Sequence, residues 1–344
     1  MKNEPVTFAS VYREMMGPAG PQPQTVRDAF DAILSGGWTP AQVAGFVITL
    51  RVRGETAAII ASAAQAMRSA MVVVEHGLDA TLDTCGTGGD GLHTINVSTV
   101  AAIVAASLGI AVAKHGNRSA SSRAGTADVL EELGVPVDLA PEHHAGVLRD
   151  AGITFLFAPT HHPAMRHAAV ARRELGIPTI FNILGPLANP ARATHQLLGT
   201  FDDSFRPLMA ETLRVLGTRR AWVVRGEDGL DEVSPSAPTR ITELDGDSIR
   251  ERVLTPEDFG LHRSATGVLS GGDAANNARV IESILRNEAH PARDAVVLNA
   301  AAAVVVAKNV DPRDAAAQAD QAIRSGLAHA ALERWRAAVR RARA

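Results

Sequence analysis

Two segments limit the folds open to this chain. Residues 83–99 read Asp83-Thr-Cys-Gly-Thr-Gly-Gly-Asp-Gly-Leu-His-Thr-Ile-Asn-Val-Ser-Thr99, and residues 114–125 read Lys114-His-Gly-Asn-Arg-Ser-Ala-Ser-Ser-Arg-Ala-Gly125. Each is rich in glycine, hydroxyl and basic residues and follows an apolar run, so a strand should end and a tight loop begin. Glycine permits positive φ and close approach of the backbone, and successive N–H groups then form a concave nest for anions. Ser98 and Thr99 fall where the next helix should start, which adds N-terminal donors and a favourable dipole. Lys114 and Arg118 supply full charges. The pattern implies a cradle for a highly phosphorylated small molecule.

Around these loops the texture is that of an α/β layer. Apolar β-prone runs alternate with helical ones: Ala80–Thr84 then Ser98–Leu108, Ile110–Lys114 then Thr126–Leu133, Ile153–Phe157 then Pro163–Leu175. Gln196–Thr200, Arg206–Leu216 and Ala221–Arg225 continue the series. Such alternation predicts a central, mostly parallel sheet flanked by helices. Arg240–Leu254 reads as a hairpin turning at Asp245-Gly246, and the chain from about Asp273 reads as helices with an Arg-rich end. Residues 1–70 read as helices, with Thr39-Pro40 as an N-cap followed by proline at the first helical position and Gly54 as a stop. Ala57–Met71 carries apolar residues on much of its surface, which predicts burial against a partner in the chain or across a dimer.

Composition bounds the partners. The 344 residues are 46% hydrophobic and 21% charged, enough for a large core and two domains. A net charge of -3 gives no global basic field for nucleic acid, and aromatics at 4% leave few stacking platforms for bases. The single cysteine, Cys85, excludes an internal disulfide and a multi-cysteine metal site and reads as a small packed residue. The N-terminus lacks an apolar signal core, and the apolar stretches near 101–113 and 294–307 fall short of the roughly 20 residues that span a bilayer. A cytoplasmic protein without membrane or nucleic-acid contact is expected.

Gly86-Thr-Gly-Gly-Asp-Gly91 also fits the dinucleotide pattern, but about 20 positions on, where a ribose-binding acid should stand, the chain has Lys114 and His115. Asp231-Glu232 follows the apolar run Ala221–Val224 and is a candidate pair of magnesium ligands, because magnesium prefers oxygen and bridges carboxylates to phosphates. Arg172 suits a planar carboxylate through its bidentate fork. The pairs His143-His144 and His161-His162 lack metal-ligand spacing and read as surface or cap residues.

Together, Gly86-Thr-Gly-Gly-Asp90, Asn96-Val-Ser-Thr99, Lys114-His-Gly-Asn-Arg118, Asn182-Ile-Leu-Gly-Pro-Leu187 and Asp231-Glu232 resemble the anthranilate phosphoribosyltransferase family, one of the nucleoside phosphorylase-like phosphoribosyltransferases. The resemblance runs from the first helices to the last. It implies a small N-terminal helical domain (1–72, joined by a segment near 165–190) and a larger α/β domain (73–344), assembled as a homodimer. It implies transfer of the phosphoribosyl group from 5-phosphoribosyl 1-diphosphate to anthranilate, with Mg2+, in tryptophan biosynthesis. Carried over, the donor site comprises Gly86, Gly89, Asp90, Thr94, Asn96, Val97, Ser98, Thr99, Lys114, His115, Gly116, Asn117, Arg118, Ser119, Ala120, Ser121, Ser122 and Thr126. Gly86, Asn117 and Arg172 would meet anthranilate, and Ser98, Asp231 and Glu232 would serve the metal. Thr126 stands where the family more usually has serine, with the hydroxyl kept. No general base is implied; positioning and electrostatics carry the reaction. A pyrimidine nucleoside phosphorylase, or a non-catalytic nucleic-acid-binding relative on the same scaffold, is the alternative.

Overall fold

The computed structural model describes residues 6–118 and 124–344. The chain begins with four helices: α1 (Phe8–Met16), α2 (Pro23–Leu34), α3 (Pro40–Arg53) and α4 (Ala57–Ala70). Local chemistry sets their ends. Thr39 and Gln42 form a capping box, with Thr39 N donating to Gln42 Oε1 at 2.9 Å, Pro40 opens α3, and Gly54 closes it at φ 102°.

A sheet then assembles between helices: β1 (Leu82–Gly86), α5 (Val97–Ser107), β2 (Val112–Gly116), α6 (Thr126–Glu132), α7 (His144–Ala151) and β3 (Ile153–Phe157). There follow α8 (Ala158–His161), a 3-10 stretch over Pro163–Ala168, α9 (Ala169–Leu175), α10 (Ile180–Leu184), β4 (His195–Gly199), α11 (Phe205–Val215) and β5 (Arg220–Gly226). The hairpin β6 (Thr239–Asp245) and β7 (Ser248–Leu254) precedes α12 (Ala274–Leu285), α13 (Arg293–Lys308), α14 (Pro312–Arg324) and α15 (Leu327–Arg343). The expected single helix over Pro163–Leu175 is thus half 3-10, because Pro163 opens a tighter turn that becomes α-helical only at Ala169.

The seven strands lie in the order β3-β2-β1-β4-β5-β6-β7. The first five pair in parallel, and β6 runs antiparallel to both β5 and β7. The hairpin closes between Asp245 and Ser248, with Gly246 at φ 58°. Side chains alternate between faces: Leu197 and Trp222 join one core, while Leu198 and Val223 join the other. The first core holds α5 and α13, whose residues are buried all round. The second holds the N-terminal helices, α9, α10 and α11, so the helical domain is docked on the sheet rather than tethered.

From β1 the chain moves outward to β2 and β3, then crosses back to β4 on the opposite side of β1. Such a reversal opens a crevice at the carboxyl ends of the strands. The glycine-rich loops that follow β1 and β2 and the acidic pair that follows β5 lie at that edge.

Candidate functional site

The floor of the crevice is nearly bare backbone. β1, β2, β4 and β5 end in Gly86, Gly116, Gly199 and Gly226. A Cβ on Gly86 would lie 2.9 Å from Asp231 Oδ2, and one on Gly116 would lie 2.9 Å from the Phe155 ring.

The first loop joins β1 to α5. It turns through Gly88 and Gly89 at φ 63° and 91°, a region that suits glycine. Thr87 ties it to β4, donating its N–H to Gly199 O at 2.9 Å and accepting from Phe201 N at 3.0 Å. Its far half is braced from outside: Thr94 pairs with Ser270 in an antiparallel bridge, and Ile95 N donates to Leu269 O at 2.8 Å. Asn96 precedes α5 without capping it, because its Oδ1 accepts from Asn277 Nδ2 at 3.1 Å. Val97 is buried in the core, so it can offer the crevice only backbone. Thr99 is buried with its hydroxyl unpartnered.

Lys114 is 1% exposed. Its Nζ donates to Thr84 O and to Ser98 Oγ, the latter at 3.1 Å. Burial pulls its pKa down, while Asp83 and Glu232 nearby pull it up. The acidic pair reaches the same point from β5. Glu232 Oε1 accepts from Ser98 N at 3.1 Å, placing a carboxylate on the first turn of α5. Burial raises the pKa of both acids; the neighbouring Asp90 raises Asp231 further, and Asp231 raises Glu232. Asp90 Oδ1 accepts from Leu92 N at 3.1 Å, but its Oδ2 is buried without a hydrogen-bond partner. Crowded carboxylates with an unpartnered oxygen and a serine hydroxyl beside them form a hard, oxygen-rich donor set that fits Mg2+.

The second loop departs from the expected cradle in one respect. Asn117 Oδ1 accepts from Arg118 N at 2.7 Å, but the Arg118 guanidinium turns to α6, forming hydrogen bonds to Asp128 at 2.8 Å and Glu131 at 2.7 Å. Its charge is therefore already compensated. Thr126 opens α6 beside Gly116. Ser119, Ala120, Ser121 and Ser122 lie outside the described residues.

Arg172 stands apart on α9, its guanidinium 5.7 Å from the centre of the Phe181 ring. The residue is exposed, while partial desolvation of the guanidinium lowers its pKa. Among the described residues no carboxylate pairs with it, which leaves its fork available to an incoming one.

The histidines require a correction. His143 is exposed at the start of α7, but His144, His161 and His162 are buried. His144 Nδ1 hydrogen-bonds Thr154 Oγ1 at 2.8 Å, and His161 Nδ1 hydrogen-bonds Val72 O at 2.9 Å. His115, in the second loop, is buried too; its Nδ1 hydrogen-bonds Gly185 O at 3.1 Å and its ring lies 5.1 Å from that of His162. Burial holds all four imidazoles neutral. Cys85 is inert: burial and Asp83 push its thiol pKa up, and its Sγ accepts from Gln196 Nε2 at 3.1 Å.

Three supporting residues were missed. Asn277 holds Asn96, as described. Asn299, buried in α13, clasps the acidic loop, accepting from Val233 N and donating to Val233 O, both at 2.9 Å. Gly199 ends β4 directly against Asp231. Only Gly199 carried a signal, a glycine at the end of a predicted strand.

The profile of the glycosyl transferase family a/b domain matches residues 78–329, and that of the family's helical bundle domain matches residues 21–71. An anthranilate phosphoribosyltransferase of Symbiobacterium thermophilum is 47% identical over 317 residues, covering 92% of this chain and 93% of the relative. The crystal structure of anthranilate phosphoribosyltransferase from Thermus thermophilus superposes with a TM-score of 0.91 at 41% identity, covering 96% and 99% of the two chains. The Saccharomyces cerevisiae enzyme in complex with PRPP and Mg gives a TM-score of 0.89 at 28% identity, covering 96% and 97%.

Proposed function

This chain belongs to the anthranilate phosphoribosyltransferase family, and from that membership we infer that its two glycine-rich loops hold 5-phosphoribosyl 1-diphosphate. The chain is a pentosyltransferase of tryptophan biosynthesis. It moves the 5-phosphoribosyl group onto the amine of anthranilate and releases diphosphate.

The observation that carries the site assignment is the meeting of Lys114, Ser98 and Glu232 at the strand ends, with two contacts of 3.1 Å. In the reaction the bond from ribose C1 to the diphosphate oxygen breaks and a bond from C1 to the anthranilate nitrogen forms; the amine gives up one of its two protons, which leaves with the diphosphate or to water. Positive charge develops on the ribose and negative charge on the leaving group. Lys114, the amides of Gly86–Asp90 and the first turn of α5 face that negative charge, preorganised before it appears. Asp231, Glu232 and Ser98, with Asp90 beside them, would hold Mg2+, which would supply further charge neutralisation. Arg172 orients the anthranilate carboxylate, with Gly86 and Asn117 beside the ring. A weakly basic aromatic amine needs placement more than activation, so the protein contributes chiefly alignment.

The domain boundary we assign falls between residues 72 and 73, with 165–190 counted in the helical part. Packing of α9 on α3 and of α10 on α4 supports it. We assign the chain as a cytoplasmic homodimer joined through the helical domain; the exposed Tyr12 and Met16 of α1 support the dimer.

The test follows anthranilate fluorescence with protein, magnesium and 5-phosphoribosyl 1-diphosphate. Loss of signal that needs all three, with equimolar diphosphate, is expected. A flat trace from folded protein that still binds the donor would overturn the acceptor assignment.

A further inference from the structure

Beneath the second loop lies a buried polar node that the reaction as described does not use. Asp83 on β1 is 0% exposed and Asn189, in the turn before β4, is 3% exposed. Asp83 Oδ1 accepts from the backbone N–H of His115 at 3.1 Å, and Oδ2 accepts from Asn189 Nδ2 at 2.8 Å. Asn189 Nδ2 also donates to Ala113 O, and its Oδ1 accepts from Ala191 N, both at 2.8 Å. A second strap runs parallel to the first, from the His115 ring to Gly185 O.

The node joins two parts with different duties. β2 leads through Lys114 and His115 into the donor loop. The 180–190 segment begins with α10, whose Phe181 carries the Arg172 guanidinium, and so belongs to the acceptor side. One carboxylate accepts from both parts at once. A buried carboxylate is costly unless its hydrogen bonds are met, and here both oxygens are engaged with groups that must keep a fixed separation.

We propose that Asp83 is a positioning residue for the transfer: with Asn189 it fixes the donor loop against the acceptor segment, and so sets the alignment of ribose C1 with the anthranilate amine. The proposal rests on the functional reading above. Both Asp83 oxygens are taken by protein groups, but its charge also supports that of Lys114, so Asn189→Ala, which keeps that charge, is the variant that should change turnover rather than donor binding. Misplacement by an ångström, even from a change remote from the chemistry, costs on the order of 10²-fold in rate.

The experiment compares Asp83→Asn, Asn189→Ala and the double variant with wild type. Donor affinity is read by calorimetry, and kcat and KM by fluorescence. Asp83→Asn sets an amide nitrogen against Asn189 Nδ2, donor against donor, or forces Asn189 to turn and release Ala113 and Ala191. Expected are, in Asn189→Ala, donor affinity within about threefold of wild type with kcat lower by on the order of 10²-fold, a fall in kcat at least as large in Asp83→Asn, and a double variant no slower than the worse single. An unchanged kcat in folded Asp83→Asn would overturn the positioning role, as would loss of donor affinity in step with kcat in Asn189→Ala, or effects that multiply in the double variant. Should Asp83→Asn not fold, Asn189→Ala still carries the split, and an unchanged kcat there is equally decisive against it. The wild-type control separates the two readings: donor binding without transfer would overturn the acceptor assignment and this role with it, whereas active wild type with unaffected variants would overturn this role alone.

Discussion

A methyl group on Gly199 would fall 1.6 Å from the carbonyl oxygen of Asp231. The end of β4 is thus pressed against the main chain of the metal-binding loop, and that loop cannot retreat freely because Asn299 clasps Val233 from behind.

Gly199→Ala therefore moves the acidic loop rather than a pliable side chain. Overpacking of this kind costs about 1–3 kcal/mol. The unfolding midpoint in urea should fall accordingly, and half-saturation by magnesium in the diphosphate-release assay should move to higher concentration. An unchanged magnesium curve would mean that the loop accommodates the methyl group elsewhere.

Asp231→Asn keeps the shape of the loop and removes one of the crowded charges. Turnover should drop on the order of 10²-fold, with a raised magnesium requirement and a fold that survives. The sign with pH follows from the raised pKa of Asp231, caused first by burial and then by Asp90. Folding then favours the protonated acid, so its stabilising share is complete below about pH 4 and disappears as pH rises through the shifted value. With chelator present, wild type should lose more stability than Asp231→Asn between pH 5 and pH 8, as measured by thermal unfolding. Equal losses in both proteins would remove Asp231 as the cause.

Arg172→Ala should raise KM for anthranilate by roughly 10- to 100-fold, the worth of a charge-assisted hydrogen bond of about 1.5–3 kcal/mol. KM for the phosphoribosyl donor should stay within about twofold, because the two groups sit in different parts of the crevice. If both constants rise together, Arg172 supports the helical domain rather than the acceptor.

His144 gives an acid limit. Burial first, then His161, depresses its pKa to about 3. A base held neutral in the fold stabilises above its unfolded pKa of about 6.5 and loses that contribution as pH falls toward the folded value. At pH 5 the loss is about 2 kcal/mol by linkage. His144→Asn retains an acceptor toward Thr154 and should flatten the fall in urea midpoint between pH 7 and pH 5. A fall as steep as that of wild type would assign the acid limit to the other buried imidazoles.

What the sequence disclosed was local. The strand-loop-helix order, the N-cap at Thr39 with Pro40 after it and the hairpin at Asp245-Gly246 are written in residues a few positions apart, and the structure keeps them. The loops and the acidic pair were legible for the same reason, since each is a short motif. The braces were not. Asn277 meets Asn96 across 181 positions and Asn299 meets Val233 across 66, and an asparagine in a helix shows nothing of what it will hold. His144 and His161, read as surface or cap residues, misled for a similar reason: their partners are Thr154 and Val72 O, neither of which marks the sequence around them. Arg118 lay in a motif, yet Asp128 and Glu131, one and two turns along α6, claim its charge.

The four glycines that close β1, β2, β4 and β5 bear on how this enzyme can change. A Cβ at any of them would come within 3 Å of a neighbouring atom, so the floor under the donor takes no side chain at these four positions unless a neighbour gives way. Novelty has more room in the walls, where the residues beside Arg172 are exposed rather than packed. A lineage of such enzymes can therefore drift toward new aromatic amines while its handling of the phosphorylated sugar stays frozen.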